Sequence, residues 1–475
     1  MRTLVPFAAL VALFTLLAAK PGNPFSNTLK SAGLIDLSAL PDYANQPVPL
    51  YIQRDNTPSD NLITDEGATL GRVLFHDKQL SRTGTISCSS CHRQQFAFSD
   101  TAQASTGVAG TTGRHSMRLV NARFGQETHF FWDERADSLE MQATMPVKDH
   151  AEMGFSGTLG DPDIDSLITR LGTLPYYAPL FTAAFGDPAI TEDRIQRSLA
   201  QFVRSIQSFD SKYDAGRALA PNDQVPFPNF TGQENAGKTL FLTPPVFDPQ
   251  GFRIGGGAGC QGCHRAPEFD IDPNSLNNGI INSLGGGQDL TNTRAPSLRD
   301  AVGPNGASNG PFFHTGGAAD LIGVIFHYDS MPAASLTPQL DPRLRPGGNI
   351  QRLQLTQQEK GQLAAFLRTL TGTNVYVDEK WSDPFLNGQL TVINGTVGVA
   401  EAEERTRLTV FPNPASDQLN LIAPPHLRNA AWTVHDLGGR VVLQGMGGTS
   451  LDVRHLPAGT YLLRMEKAAV RFVKR

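Results

Sequence analysis

Cysteine is scarce in this chain: four in 475 residues. All four fall in two short motifs, so none is left for any other use. Past residue 19 no stretch is long and apolar enough to span a bilayer. Neither sign of charge dominates, with 40 Lys and Arg against 45 Asp and Glu, a net −5. No basic stripe appears, which excludes nucleic acid as an expected partner. Histidine is missing from the whole run Arg93 to Arg114.

What is present starts with the two cysteine motifs, Cys88-Ser-Ser-Cys91-His92 and Cys260-Gln-Gly-Cys263-His264. Each reads C-x-x-C-H, the attachment pattern of a c-type haem. Two intervening residues let two thiols add to the two vinyl groups of one haem. The adjacent histidine then becomes the proximal iron ligand. Cys88, Cys91, Cys260 and Cys263 are therefore the expected attachment points, and His92 and His264 the expected iron ligands. At the amino end Arg2 precedes an apolar run, Leu4 to Ala19, that ends in small residues. This reads as a secretory signal peptide over residues 1–19. Cytochrome c assembly outside the cytoplasm agrees with it.

Along the chain, residues 20–61 are irregular and rich in Pro, Asn and Ser, and are expected to wrap the first domain. Thr64 to His76, Asp163 to Leu171 and Thr191 to Phe209 carry apolar residues at helical spacing. Thr231-Gly-Gln-Glu234 and Thr356-Gln-Gln-Glu359 are capping boxes. The helix after the second box is expected to stop at Gly372. Gly71-Arg-Val-Leu-Phe75 precedes the first haem motif as Gly237-Lys-Thr-Leu-Phe241 precedes the second. Arg114 to Ala122 is echoed by Arg294 to Ala301, and Phe130-Phe-Trp132 by Phe312-Phe-His314, an internal repeat. The tail differs: Leu419–Ile422, Ala431–Val434, Arg440–Gln444 and Thr460–Met465 alternate like strands between turn signals. It reads as a small β-sandwich without a titratable cluster, and no catalysis is expected there.

Leu70 to Asp77, Leu80-Ser81, Gly84 to Cys88, Ala97-Phe-Ser-Asp100, Phe131-Trp-Asp-Glu-Arg-Ala136, Gln142, Ala151-Glu-Met153, Arg294-Ala-Pro-Ser-Leu298 and Pro311 to Gly316 together resemble bacterial dihaem cytochrome c peroxidases and their MauG-like relatives. The likeness covers about Asn61 to Thr373. The tail, with Phe411-Pro-Asn-Pro414, Asp436-Leu-Gly-Gly-Arg440 and Lys474-Arg475, resembles a type IX secretion sorting domain.

The resemblance implies a site. Glu152 matches the family's acid-base glutamate; a carboxylate over a haem can take and return a proton. Gln142 matches a glutamine of the same pocket. Trp132 matches the tryptophan between the haems, and a core aromatic at a domain interface is its plainer reading. Many relatives place a distal histidine in the loop after the first motif. Here either the first haem is open or His115 fills the site. His115 stands where the family has an asparagine near an inter-domain calcium, so a calcium ion is only weakly implied. For the sixth ligand of the second haem, Tyr328 occupies the family position, with Met331 and then His327 as alternatives. Thioether ligation raises the potential and phenolate lowers it. His76, His129, His150 and His314 read as structural.

The expected fold is mainly α: two cytochrome-c-like haem domains, 62–225 (peroxidatic) and 226–373 (electron transfer), a linker 374–405, and a sorting domain 406–475 as a small C-terminal β-sandwich. The expected function is reduction of hydrogen peroxide to water with two covalent haem c groups. Electrons would come from a small donor such as a monohaem cytochrome c or cupredoxin. The alternatives are MauG-like oxidation of a protein or organic substrate, and electron transfer without peroxide chemistry. Type IX secretion machinery is the expected export partner, a homodimer is admitted, and the protein is placed in the periplasm, at the cell surface or outside the cell.

Overall fold

The computed structural model describes residues 33–126, 128–393, 408–423, 427, 430–436, 438–465 and 468–475. The signal-peptide reading, residues 20–32 of the irregular segment and residues 394–405 of the linker lie outside the described residues. The chain divides into two compact units, Met1–Val392 and Ile393–Arg475. Among the described residues no helix is long and apolar enough to cross a membrane.

The first unit is mainly helical and is built on two helix pairs. Helix α1 (Asp65–His76) starts at the Thr64 cap, whose side chain accepts from the Gly67 N–H. The helix packs on α5 (Glu192–Ser205), capped by Thr191. Between them come α2 (Leu139–Thr144), α3 (Ile164–Gly172) and α4 (Tyr177–Phe185). After the short α6 (Lys212–Ala218), α7 (Gly232–Leu242) packs on α9 (Gln357–Arg368), with α8 (Leu321–Asp329) between them in sequence. Both expected capping boxes form, at Thr231–Glu234 and Thr356–Glu359. Such a cap is worth about 1 kcal/mol.

The repeat is visible in three dimensions. A Cβ on Gly71 would collide with the Ser198 carbonyl of α5, and one on Gly237 with the Gln362 carbonyl of α9. Glycine is required twice for the same reason: each helix pair closes too tightly for a side chain. Phe98 and Phe269 share a left-handed backbone (φ 59° and 58°), as do Phe131 and Phe313 (φ 71° and 66°). Phe130 bridges Ala136 as Phe312 bridges Ala318. One apolar cluster gathers around Leu74, Phe75, Phe181 and Phe202, a second around Tyr213, Phe241, Phe269 and Phe366.

Two helix ends differ from expectation. The helix expected to reach Phe209 ends at Ser205, because Ile206 turns to an extended backbone (φ −76°, ψ 98°). The helix expected to stop at Gly372 ends at Arg368 with Thr369 as C-cap. The stretch read as a linker from residue 374 is packed as far as it is described within this unit. Val375 and Trp381 are buried in the first cluster, and the Trp381 indole donates to Ser205 Oγ at 3.2 Å. Arg72 Nε donates to the Ser382 carbonyl at 2.6 Å. Residues 374–392 therefore form a strap over α1 and α5.

The second unit carries two antiparallel sheets. Strands β1 (Thr409–Phe411), β2 (Gln418–Ile422) and β5 (Ser450–Asp452) run in the order β5-β2-β1. Strands β3 (Ala431–His435), β4 (Val441–Met446), β6 (Gly459–Met465) and β7 (Ala468–Lys474) run in the order β4-β3-β6-β7. Leu463 opposes Val434 on one side and Val470 on the other. Leu419, Val434, Leu463 and Phe472 are fully buried in one cluster. Strands β1, β5 and β7 were not among the segments picked out in the sequence.

Candidate functional site

Cys88 to Cys91 form a single helical turn after the Ser87 cap, and His92 ends it with its N–H on the Cys88 carbonyl. The turn leaves both thiols half-buried beside α1. The His92 Nδ1 lies 3.1 Å from the Phe98 carbonyl. That contact fixes the ring and leaves Nε2 as the nitrogen for a metal. Phe98 presents its carbonyl through its left-handed backbone. Burial holds the imidazole pKa down, so the ring stays neutral, as an iron ligand must.

The second motif lies in the wall of a cavity of about 660 Å³. Cys260, Cys263 and His264 line it, with Phe241, Leu242, Leu298, Ile325 and Leu363 among its apolar walls. Burial pushes His264 down to about 4, with Arg343 and Arg118 adding to the shift. Its Nδ1 is buried without a hydrogen-bond partner.

Glu152 sits on the turn 149–154. Asp149 Oδ1 accepts from the Ala151 and Glu152 N–H groups at 2.8 and 3.0 Å, and the Val108 N–H donates to the Glu152 carbonyl at 3.0 Å. Burial, reinforced by Asp149, pushes the carboxyl up to about 7, while Arg135 pulls it down. Burial raises the thiols of Cys88 and Cys91 to about 12 and about 11, and Glu152 contributes to both. The charge of Glu152 therefore reaches both thiols of the first motif. Next to it, His150 Nδ1 meets Asp161 Oδ2 at 2.8 Å, and Arg82 holds Asp161 Oδ1 at 2.6 Å. Gln142 is half-buried on α2.

Trp132 is 8% exposed and lines the cavity at the second motif, the second cavity for short. Its indole donates to the His115 carbonyl at 2.7 Å. Its own carbonyl accepts from the Thr293 and Arg294 N–H groups at 3.0 and 3.1 Å. Its ring lies 6.3 Å from the His314 ring, edge to face. The two members of the repeated aromatic triplets thus touch each other.

The alternative ligands separate in space. Tyr328 lines the second cavity; burial and then the Cys263 thiol raise its phenol pKa. Met331 is not in that lining. It is 1% exposed, packed with Leu340, Leu344 and Ile350. Helix α8 ends at Asp329, so Met331 lies beyond the helix and turns elsewhere. His327 Nε2 lies 2.9 Å from the Asn278 carbonyl. His115 lines the second cavity too, with Nδ1 at 2.9 Å from the Ala102 carbonyl. His76 contacts the Trp381 carbonyl at 3.2 Å and His314 the Asn282 carbonyl at 3.0 Å. His129 lies 3.8 Å from Asp137. Among the described residues no group of three or more His, Cys, Asp or Glu is arranged to hold a metal ion.

Asp149 and Arg118 escaped the sequence reading. Asp149 had a local signal, a side-chain acceptor ahead of a turn. Arg118 had none, since its surroundings come from the other half of the chain.

Residues 65–220 match the family model described as di-haem cytochrome c peroxidase, and residues 409–475 the model of a secretion system C-terminal sorting domain. The methylamine utilization protein MauG of Methylorubrum extorquens is 31% identical over 324 residues, which cover 66% of this chain and 80% of that protein. The cytochrome c551 peroxidase of Nitrosomonas europaea is 27% identical over 319 residues, covering 64% and 80%. A solved structure described as a MauG-like protein associated with microbial copper homeostasis superposes with a TM-score of 0.55 at 29% identity. It covers 72% of this chain and 99% of that one. The chain belongs to the di-haem cytochrome c peroxidase and MauG family, and it ends in a secretion sorting domain. The family implies two haem c groups. The residues present fit them: two C-x-x-C-H turns, two neutral imidazoles, and an apolar cavity at the second motif with the unpartnered Nδ1 of His264.

Proposed function

We propose that the protein reduces hydrogen peroxide to water in the lobe 62–225, with electrons delivered through the lobe 226–373. Haem held by Cys88, Cys91 and His92 supplies the redox chemistry for peroxide cleavage, and haem held by Cys260, Cys263 and His264 supplies the relay. The observation that carries the reading is Glu152, a half-buried carboxyl near the first motif with a pKa raised to about 7. A carboxylate so placed takes a proton from peroxide and returns it to the oxygen that leaves as water. Gln142 is read as a second polar group of that pocket. Two electrons and two protons then complete the conversion of peroxide to two waters. Trp132, tied to both lobes, lies on the route the electrons take.

His115 is read as a wall residue rather than a distal ligand, because its ring is engaged at Ala102 and faces the second cavity. With no histidine from Arg93 to Arg114, the first site is read as open to peroxide. Tyr328 is read as the sixth ligand of the second haem, and Met331 as core.

The placement of Tyr328 also favours a second reading, MauG-like oxidation of a protein or organic substrate, because phenolate ligation lowers the potential. Steady-state peroxide consumption with a reduced monohaem cytochrome c or cupredoxin decides between them. Turnover that tracks donor oxidation supports the peroxidase. No donor oxidation, with oxidised tyrosine or tryptophan in an added protein, supports the alternative. The tail, two sheets around one core, is read as a β-sandwich address for the type IX machinery that directs the enzyme to the cell surface or beyond.

A further inference from the structure

Arg118 belongs to the first lobe, on the chain between His115 and Asn121. Its side chain nevertheless lines the cavity of the second haem motif and is 8% exposed. Nε donates to the Arg299 carbonyl at 3.3 Å and NH2 to the Ser297 carbonyl at 2.9 Å, both from the second lobe. No carboxylate pairs with it among the described residues. Asp300 is a carboxylate whose charge reaches it; its Oδ1 is engaged by the Gly372 N–H at 2.9 Å and the Tyr376 hydroxyl at 3.1 Å, and its Oδ2 is buried without a hydrogen-bond partner. Two neighbouring arginines differ. Arg343, in the same cavity, holds Asp341 at 2.6 Å. Arg299 holds Asp214 at 3.0 Å. A buried guanidinium with only neutral carbonyls for partners is costly. Its planar fork is suited to carboxylate.

The cavity beside it is otherwise mainly apolar and opens on Cys260, Cys263 and His264. The porphyrin those residues would hold carries two carboxylates. We propose that Arg118 binds a propionate of the second haem, so that this haem is clasped by both lobes; the proposal rests on the di-haem reading. The cation also disfavours the more positive oxidised iron and so raises the potential of that haem.

The test is a spectrally monitored redox titration of the haem-loaded full chain, wild type against Arg118→Gln and Arg118→Lys, with haem counted by pyridine haemochrome. The expected result is two haems, a lower potential for the second haem in Arg118→Gln, an unmoved first haem, and near wild-type behaviour in Arg118→Lys. Two haems with an unmoved second potential in Arg118→Gln overturn the proposal alone. One haem in the wild type overturns the di-haem reading and the proposal with it. If Arg118→Gln fails to assemble, Arg118→Lys decides: a retained second potential supports the proposal, and an equal fall at both haems overturns it.

Discussion

The Trp132 indole and the His115 carbonyl are joined by a 2.7 Å hydrogen bond, and the Trp132 carbonyl takes two N–H groups of the second lobe. One residue thus ties the loop after the first haem motif to the wall of the second cavity. Trp132→Phe keeps an aromatic ring and deletes the bond, leaving a buried carbonyl without its donor. A stability loss of about 1–3 kcal/mol is expected by denaturant titration. Peroxide turnover should fall while both haem spectra stay unchanged. Unchanged turnover would take Trp132 off the electron route.

Each haem should depend on its own motif. Cys88→Ser should weaken attachment at the first motif only, and Cys260→Ser at the second only. Denaturing gels stained for haem, with pyridine haemochrome counts, check this. Wild-type protein with a single haem would contradict the assignment.

The helix starts were legible because caps are local: Thr64, Asp163, Thr191, Thr231 and Thr356 each cap a helix through their own side chains. The ends at Ser205 and Arg368 were less so, because nothing within a residue or two marks them. The strap 374–392 was illegible because the partners of Trp381 are Ser205 and His76, far away in sequence. Tyr328 and Met331 could not be separated by sequence, since the end of α8 between them decides which one faces the cavity.

That end gives a direct contrast. Tyr328→Phe should change the spin state and spectrum of the second haem, as seen by EPR. Met331→Leu should leave both unchanged and cost less than about 1.5 kcal/mol, as volume-conserving core swaps do. The reverse pattern would make Met331 the ligand.

The strap predicts two different truncations. Ending the chain at residue 393 removes the sheets of the second unit and should leave haem content and peroxide turnover intact. In a type IX-secreting host it should strand the protein in the periplasm. Ending it at Thr373 also removes Trp381, and burial on that scale is worth about 3–5 kcal/mol. The shorter protein should melt markedly lower. Equal stability of the two would contradict the packing of the strap.

Glu152 carries a pH signature. Its pKa is raised to about 7 by burial and Asp149, and only the carboxylate can accept the peroxide proton. The rate with peroxide should therefore rise as pH passes upward through about 7. Asp149→Asn removes a raising charge while keeping an acceptor for the turn, so it should move the inflection downward. The sign for stability is opposite. The protonated form is favoured in the fold, so this group's contribution is full below the unfolded value of 4.5 and lost as pH rises towards 7.

The most direct measurement is stopped-flow mixing of fully oxidised holoprotein with peroxide, wild type against Glu152→Gln. The expected result is immediate reaction without prior reduction, slowed by about 100- to 10,000-fold in the variant, with both resting haem spectra unchanged. A wild-type protein that reacts only after half-reduction, or a Glu152→Gln variant that reacts at the wild-type rate, would contradict an open first site served by Glu152.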